Sequence, residues 1–355
     1  MPKFHIPKVL LFGDLHLRKG HLIQGQECCR ALVETSKKVK PDLIVLLGDV
    51  LHTHEMVYVK ALKLFEGLLE QLRNIAPVRV LVGNHDFTSA SENQSTEHPL
   101  GSFKKWAKVK IIDRAVIDDF FIEHGYRLLL TPYIPYGGHF IAEMDRLLES
   151  NPDEYEVPEG TETIILAHQP FSPLDPKAEH WPLDYPMVFS GHIHDRRSLQ
   201  ENVYYVGSSS QVAMDELPDK YACVVTLGTK GISFETPRLD VRSISVMRVN
   251  YDDFSIKKVM KVARFHDVRL IISSSREEKE AFMASDDRHE LVAAGVKTTW
   301  DLPLDKGTGN SQVRAKSRRG NFSEILKILV DKSGDEKIQS AYEKVYRVGG
   351  EDGEE

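Results

Sequence analysis

Apolar and polar residues follow two periods along the first 240 residues of this chain. Short apolar runs predict buried strands, and longer segments with apolar residues three or four positions apart predict amphipathic helices between them. The predicted strands are Lys8–Phe12, Leu43–Leu47, Val78–Val82, Arg127–Leu130, Thr163–Ala167, Met187–Phe189, Val203–Val206 and Tyr221–Leu227, and the predicted helices are Gln26–Val39, Val57–Asn74 and His139–Leu148. This alternation predicts a layered α/β fold for residues 1–240.

The pattern changes after about residue 240. Shorter strand and helix patterns over residues 241–304 predict a small second α/β domain. Residues 305–320 are rich in Gly, Ser and basic side chains and predict a flexible linker. Two amphipathic patterns within residues 321–350, Phe322–Lys332 and Asp335–Arg347, predict a pair of C-terminal helices.

Net charge, cysteine count and the lengths of the apolar runs exclude several classes of protein. The net charge of −7, with its acidic excess in the first 240 residues, argues against a general polyanion-binding protein. The three cysteines, two of them adjacent, form neither a disulfide framework nor a zinc-binding spacing. The chain has no apolar run long enough to cross a membrane, and its N-terminus lacks the apolar segment of a signal peptide. We therefore expect a cytoplasmic protein without membrane contact.

Metal-ligand residue types follow five of the predicted strands. The segments are Gly13-Asp14-Leu15-His16, Gly48-Asp49 with His52, Gly83-Asn84-His85-Asp86, Ala167-His168 and Gly191-His192-Ile193-His194. Each alone has an ordinary interpretation, because a Gly-Asp pair is usually a turn and a single His-x-His is usually incidental. Five such segments at strand ends predict one site at the carboxyl edge of a sheet.

The chemistry of this set predicts a two-metal site. Carboxylate, amide and imidazole ligands without thiolate suit Mn²⁺, Fe²⁺ or Zn²⁺. The ligands are too many for one such ion, whereas a bridging carboxylate would serve two ions about 3.5–4 Å apart. Such a pair binds a phosphate and makes hydroxide available near neutral pH, so the predicted reaction is phosphoester hydrolysis.

In this order the motifs resemble those of the calcineurin-like metallophosphoesterase superfamily. Within it, the chain is most similar to the SbcD-type DNA double-strand-break nucleases, including their compact phage relatives. His52 makes this distinction, because protein phosphatases of the superfamily carry GD-x-x-D-R-G and GNHE where this chain has GDVLH and GNHD. The resemblance covers residues 9–209, including a Gly-Ser segment at Gly207-Ser208.

The resemblance implies a fold and a set of roles. The fold is a layered β-sandwich flanked by helices, with a small α/β capping, DNA-binding domain and C-terminal helices. Asp49 would bridge the ions and His85 would be the catalytic histidine, with Asp86 either orienting it or capping the backbone locally, while His52 would place the DNA strand. The implied metal ligands are Asp14, His16 and His194 for the first ion and Asn84, His168 and His192 for the second, with Asp49 shared.

The implied activity is a DNA nuclease, both exonuclease and endonuclease, in recombination or repair. Mn²⁺ would be its metal, with Mg²⁺, Fe²⁺ and Zn²⁺ as alternatives. Its C-terminal helices would bind a coiled-coil, SMC-like ATPase of the SbcC type, with a homodimer inside a heterotetramer in a bacterial, archaeal or phage-infected cell. Candidate DNA-binding residues are Arg18 and Lys19 beside the first motif, and Arg314, Lys316, Arg318 and Arg319, which equally fit a solvated linker.

Two other functions remain open at this point. One is a phosphatase or phosphodiesterase acting on small molecules or cyclic nucleotides. The other is a metal-holding scaffold without activity, which the complete ligand set argues against. The histidines His21, His54, His98, His139 and His180 are interpreted as surface or loop residues, because no spacing ties them to the five motifs.

Overall fold

The computed structural model describes residues 5–53, 56–87, 98–135, 139–149 and 158–302, together with Val330. Residues 1–301 form one compact unit. Of the second unit, residues 302–355, only Leu302 and Val330 are described. The predicted linker and C-terminal helices therefore lie outside the described residues, apart from Val330.

Two six-stranded sheets form the main body. The first has the order β12-β11-β1-β2-β3-β4, with β1 Lys8–Phe12, β2 Leu43–Leu46, β3 Val78–Leu81, β4 Val109–Ile112, β11 Cys223–Gly228 and β12 Gly231–Glu235. The second has the order β5-β6-β7-β8-β10-β9, with β5 Val116–Asp118, β6 Tyr126–Thr131, β7 Glu162–Ala167, β8 Met187–Ser190, β9 Arg197–Gln200 and β10 Val203–Tyr205. Strands β1 to β4 are parallel, as are β6, β7 and β8.

Alternate residues of each strand build separate cores. Val9 and Leu11 of β1 join Leu128 and Leu130 of β6 in the core between the two sheets. Leu10 of β1 points the opposite way, into a core completed by helices α1 (Leu22–Val39) and α2 (Val59–Arg73). Helix α3 (Phe140–Glu149) contributes to the core on the outer face of the second sheet. Strands buried on both faces explain the continuous apolar runs in the sequence.

The segment after residue 242 forms a third, three-stranded parallel sheet, β13-β14-β15. Its elements are β13 Ser243–Asn250, α4 Ile256–Ala263, β14 His266–Ser273, α5 Arg276–Met283, α6 Asp286–Ala293 and β15 Lys297–Asp301. It has its own apolar core. Arg242 connects it to α1 through an ion pair with Glu27, at 3.2 Å. The domain boundaries at residues 240 and 304 stay predictions.

The predicted fold class is confirmed: two layered sheets are flanked by helices. Five elements were missed, namely β4, β5, β9, β15 and α6. Strands β4, β5 and β9 are only three or four residues long, and β9 (RSLQ) has a polar sequence without apolar alternation. Helix α1 also begins at Leu22 rather than Gln26, with an exposed Ile23 in its first turn. Within the described residues no helix has both the length and the apolar character needed to span a bilayer.

Candidate metal centre

All seven predicted ligands lie among the described residues, each just beyond the carboxyl end of a parallel strand. Three strands of the first sheet, β1, β2 and β3, lead into Asp14 and His16, Asp49, and Asn84. Strands β7 and β8 of the second sheet lead into His168, and into His192 and His194. The two sheets therefore deliver their ligands to the same edge of the sandwich, where α/β proteins form ligand sites.

Backbone strain is concentrated in these turns. His16 has φ 48°, Asp49 has φ 48° and His192 has φ 75°, all in the left-handed region that residues other than glycine rarely adopt. Gly48, just before Asp49, has φ 105°, and a Cβ there would lie 2.4 Å from Nδ1 of His168. Strained ligand turns and a glycine that admits a neighbouring imidazole are typical of a functional site.

Direct contacts join the two carboxylates and three of the imidazoles. Oδ1 of Asp14 lies 3.4 Å from Nδ1 of His168, and Oδ2 of Asp49 lies 3.4 Å from Nε2 of the same ring. Oδ2 of Asp49 is also 3.6 Å from Nε2 of His16, which in turn is 3.0 Å from Nε2 of His194. Asp49 therefore lies centrally, as expected of a bridging carboxylate.

The amide of Asn84 connects His192, the remaining predicted ligand, to the others. Its Oδ1 lies 3.1 Å from Nε2 of His168 and 2.8 Å from Nδ1 of His192. The ring of Tyr133 stacks on His192, with centroids 5.8 Å apart. The seven predicted ligands thus form one continuous cluster.

The protonation states suit cation binding. Burial lowers the pKa of His16 well below its usual value and that of His192 to about 3, so both imidazoles are neutral with a lone pair available. Burial also opposes charge on His168, but Asp49 and Asp14 outweigh it and raise the pKa of His168 to about 9. The Asp49 carboxyl, although buried, has a lowered pKa because His168 and His16 face it. A proton on His168 thus supplies positive charge between two buried carboxylates, a position that a metal cation also satisfies.

Two further observations fit bound metals. Oδ2 of Asp14 is buried and has no hydrogen-bond partner among the residues that the structure describes, which is costly unless a cation binds it. Potential ligand atoms form two groups, and within each group the atoms lie within 4.8 Å of one another. One group is His16, His52 and His85, and the other is Asp49, His168 and His192. Two groups in a continuous cluster support two divalent ions, whose identity the ligands alone do not decide.

The first of these groups differs from the resemblance-based assignment, which places His16 with Asp14, His194 and Asp49. His85 and His52 have parallel rings with centroids 5.7 Å apart, and each ring also contacts His16 edge-on. Nδ1–H of His85 donates to the His52 carbonyl at 3.0 Å, and its backbone N–H donates to Oδ1 of Asp49 at 2.8 Å. His85 therefore lies beside the metal ligands, in reach of a group bound there.

Asp86 is buried and holds the backbone of the site. Its carboxylate accepts N–H groups from Val50 at 3.2 Å, Leu51 at 2.9 Å and Gly83 at 3.0 Å. Burial and the nearby Asp49 raise the pKa of Asp86 to about 7 despite these bonds. These contacts correspond to the second of the two predicted roles, a local backbone cap between the turns that carry Asp49 and His85.

Sequence reasoning missed Glu216, whose Oε1 lies 2.8 Å from Nδ1 of His194. His194 and Lys220 lower the pKa of Glu216 to about 2 in spite of its burial. No strand or ligand spacing marks Glu216, because it lies in an irregular loop that only folding brings to the site. His21, interpreted as a surface residue, is also partly buried and accepts hydrogen bonds from Arg269 and Lys297.

The predicted DNA-binding residues differ in burial, and four of the six lie outside the described residues. Arg18 is half-buried, donating from Nη1 to Nε2 of His52 at 2.9 Å and from Nη2 to the Val212 carbonyl at 2.8 Å. Lys19 is exposed, with its ammonium over the Tyr58 ring. The other candidates, Arg314, Lys316, Arg318 and Arg319, lie outside the described residues.

Comparisons with known proteins agree with this geometry. The chain is 25% identical to "Putative phosphoesterase 078R" of Invertebrate iridescent virus 3 over 94% of each chain. It is 28% identical to "Putative phosphoesterase 244L" of Invertebrate iridescent virus 6, over 78% of this chain and 96% of that one. Its identity to the DNA double-strand break repair protein Mre11 of Methanococcus maripaludis is 22%, over 66% and 62% of the two chains.

Among solved structures, a dimetal phosphatase from Danio rerio matches 66% of this chain and 96% of its own, with TM-score 0.44 and 12% identity. The family model for calcineurin-like phosphoesterases matches residues 7–196, which contain all seven predicted ligands. The chain therefore belongs to the calcineurin-like phosphoesterase family and is a metal-binding phosphoester hydrolase.

Proposed function

We propose that this phosphoesterase is a two-metal DNA nuclease, with exonuclease and endonuclease activity in recombination or repair. The observation that carries the proposal is a group of three cations, here called the junction cations: Arg18, which bonds to His52, and Arg269 and Lys297, which both bond to His21. Arg18 follows β1, Arg269 lies in β14 and Lys297 begins β15. A polynucleotide offers further phosphates beside the one that is hydrolysed, and clustered cations bind them.

The junction cations form a path away from the metal ligands. Arg18 bonds to His52, whose Nδ1 lies 3.1 Å from Nδ1 of His16. Arg269 and Lys297 both donate to Nε2 of His21, Arg269 at 3.1 Å. Burial together with these three cations lowers the pKa of His21 to about 3, so His21 is a neutral acceptor that adds no charge of its own.

Within the described residues, none of the junction cations forms an ion pair with a carboxylate. The charge of Asp267 acts on all three, and its carboxylate bonds Nε of Arg242 at 3.1 Å. Glu216, which also acts on Arg18, is paired with Lys220. Burial, then the charges of Arg269 and Arg18, lower the pKa of Lys297 to about 8. Like charges held together without a direct ion pair are suited to bind an anion.

The proposed reaction is in-line attack of water on a DNA phosphorus with loss of the strand's leaving oxygen. Two divalent ions held by the predicted ligands would neutralise the phosphate charge and lower the pKa of the attacking water. The imidazolium form of His85, with Nδ1–H held by the His52 carbonyl, would donate its second N–H proton to the leaving oxygen. Asp86 fixes the turns that carry Asp49 and His85, and Arg18 fixes His52 beside the strand.

The name of the archaeal relative, a DNA double-strand break repair protein, supports DNA as the substrate. The names of the viral relatives specify only a phosphoesterase, and the chain is acidic overall. The alternative function is therefore hydrolysis of small-molecule or cyclic-nucleotide phosphoesters, for which the junction cations would have no role.

Removing two of the junction cations separates these functions. In Arg269→Gln/Lys297→Gln, we expect Mn²⁺-dependent cleavage of linear DNA to have a raised KM. In a plot of the logarithm of the DNA-binding constant against the logarithm of the salt concentration, the slope should become less negative by about two, one for each phosphate contact removed. Hydrolysis of a p-nitrophenyl phosphodiester should stay at the wild-type rate, because the metal ligands are unchanged.

The matched control is Arg248→Gln/Lys261→Gln, which removes the same charge from exposed positions of β13 and α4. It should leave both the KM for DNA and the salt slope near wild type. A wild-type enzyme that hydrolyses the small ester but not DNA would overturn the nuclease proposal, as would junction variants with unchanged DNA binding.

The lowered pKa of Lys297 predicts a pH effect on DNA binding. The ammonium form binds phosphate, so affinity should fall as the pH rises from about 7 to 9, through the Lys297 pKa of about 8. Lys297→Arg keeps its charge over this range. Fluorescence anisotropy at constant ionic strength should therefore show a flatter pH profile for Lys297→Arg, and identical profiles would contradict the assignment.

The remaining features are proposed on the resemblance. They are Mn²⁺ as the metal, an SMC-like ATPase of the SbcC type as partner, a homodimer, and a cytoplasmic location. The helices that would bind the ATPase lie outside the described residues.

A further inference from the structure

A loop of residues 207–220, here called the Glu216 loop, lies against the metal centre. Its start is fixed to the first ligand turn: the Ser209 backbone N–H donates to the Asp14 carbonyl at 2.9 Å, and its hydroxyl donates to the Gly13 carbonyl at 2.7 Å. Ser208 N–H donates to the His194 carbonyl at 3.0 Å. Backbone groups and a serine hydroxyl at the start of the loop therefore hold two of the ligand-bearing turns together.

Glu216 is the acidic side chain that this loop turns inward. Its side chain is 8% exposed, and its Oε1 accepts from Nδ1–H of His194 at 2.8 Å and from the Ala213 N–H at 3.0 Å. Its Oε2 accepts from the Val212 N–H at 3.0 Å and from Nζ of Lys220 at 2.8 Å. Both oxygens are thus held, so the carboxylate has a single orientation.

The hydrogen bond between His194 and Glu216 determines which nitrogen of His194 faces the other metal ligands. A neutral imidazole carries one N–H, and with that proton on Nδ1 the lone pair is on Nε2. Nε2 of His194 is 3.0 Å from Nε2 of His16, so these two nitrogens converge on one point. A carboxylate behind a ligand histidine fixes its tautomer and ring orientation and raises its basicity.

Lys220 balances the charge of Glu216. Its side chain is 3% exposed, and besides Glu216 it donates to the Ser208 hydroxyl at 2.8 Å. Because Lys220 compensates Glu216 within the loop, Glu216 acts on His194 through a hydrogen bond without adding net charge beside the metal ligands. An ion pair used only to close the loop would not need a third partner among the predicted ligands.

We propose that Glu216 is a positioning residue that sets the tautomer and orientation of His194, and with them the affinity for one of the two metal ions. Lys220 keeps the Glu216 carboxylate charge-balanced while it does so. This inference rests on the metal centre of the phosphoesterase and holds whether or not DNA is the substrate.

The test is metal binding by Glu216→Gln and by Glu216→Gln/Lys220→Met. Titration with Mn²⁺ by calorimetry should show one of two sites weakened about 10–100-fold in both variants, with the other near wild type. Electron paramagnetic resonance should show isolated Mn²⁺ at concentrations where the wild type shows a coupled pair. The double variant leaves no unpaired buried charge, so it reports on the metal even if the single variant unfolds.

Asp219→Asn is the matched control, since Asp219 belongs to the same loop but forms a surface ion pair with Arg238. It should bind two ions like the wild type. A folded double variant with two wild-type affinities and a coupled spectrum would overturn the proposal, and so would equal weakening of both sites. None of these readouts uses hydrolysis, so a failure here is distinct from a failure of the nuclease assay.

Discussion

Asp49→Asn is expected to abolish binding of two metal ions and to lower phosphoester hydrolysis about 10³-fold. The Asp49 carboxylate is buried and lies within 3.6 Å of both His16 and His168, which belong to different ligand groups. Replacing it with an amide removes the charge that both ions would share. Losing about 4 kcal/mol of charge stabilisation in the transition state corresponds to this rate effect.

Metal content after dialysis, measured by inductively coupled plasma mass spectrometry, checks the first half of this prediction, and initial rates with a p-nitrophenyl phosphodiester check the second. Asp240→Asn, at a side chain 92% exposed, is the control for loss of one carboxylate. Circular dichroism should show both variants folded, because asparagine has the shape of aspartate. If Asp49→Asn kept two ions and full hydrolysis, Asp49 would not be the bridging ligand.

His85→Gln is expected to lower DNA hydrolysis about 10²–10⁴-fold, the usual contribution of a general acid, while two metal ions stay bound. The structure offers a competing role, because His85 belongs to one of the two groups of potential ligand atoms. Metal stoichiometry distinguishes the roles: a variant with fewer ions would make His85 a ligand. Full hydrolysis by the variant would exclude both.

Comparing substrates with different leaving groups tests whether His85 transfers a proton. A nitrophenolate leaves without needing a proton, so the loss of rate in His85→Gln should be much smaller with a p-nitrophenyl diester than with DNA. An equal loss on both substrates would point to binding of the phosphate rather than proton transfer. His289→Gln, an exposed histidine of α6, is the control and should match the wild type on both.

Most of the sandwich could be predicted from the sequence because its central strands are buried on both faces. Strand β1 was predicted to the residue, and β2 and β3 to within one residue, since continuous apolar runs ending in Gly leave little alternative. The strands β4 (VKII), β5 (VID) and β9 (RSLQ) could not be predicted, because none contains more than two consecutive apolar residues. They are stabilised by pairing with β3, β6 and β10, respectively.

The grouping of the ligands was predictable for a related reason. Asp14, Asp49, Asn84, His168 and His192 each follow a parallel strand, and the carboxyl ends of parallel strands meet at one edge. The sequence also distinguished His52 as the residue on which the resemblance to nucleases, and hence the proposed function, depends. Its local partner, Arg18, was predicted as a residue near DNA, whereas the structure places its guanidinium directly against His52.

By itself, then, the sequence of this protein determined the layered α/β fold, its ligand-bearing edge and the phosphoester chemistry, because all three follow from apolar runs and the residues directly after them, while the sandwich was implied by the family resemblance. Only the tertiary structure revealed Glu216 behind His194, the junction cations and the backbone bonds of Asp86. No motif or periodicity specifies which residues these contacts join, and the partners are separated by 22 residues for Glu216 and His194 and by 248 for Arg269 and His21. Local pattern carries no information about such pairs, since the free energy that holds them comes from folding of the whole chain.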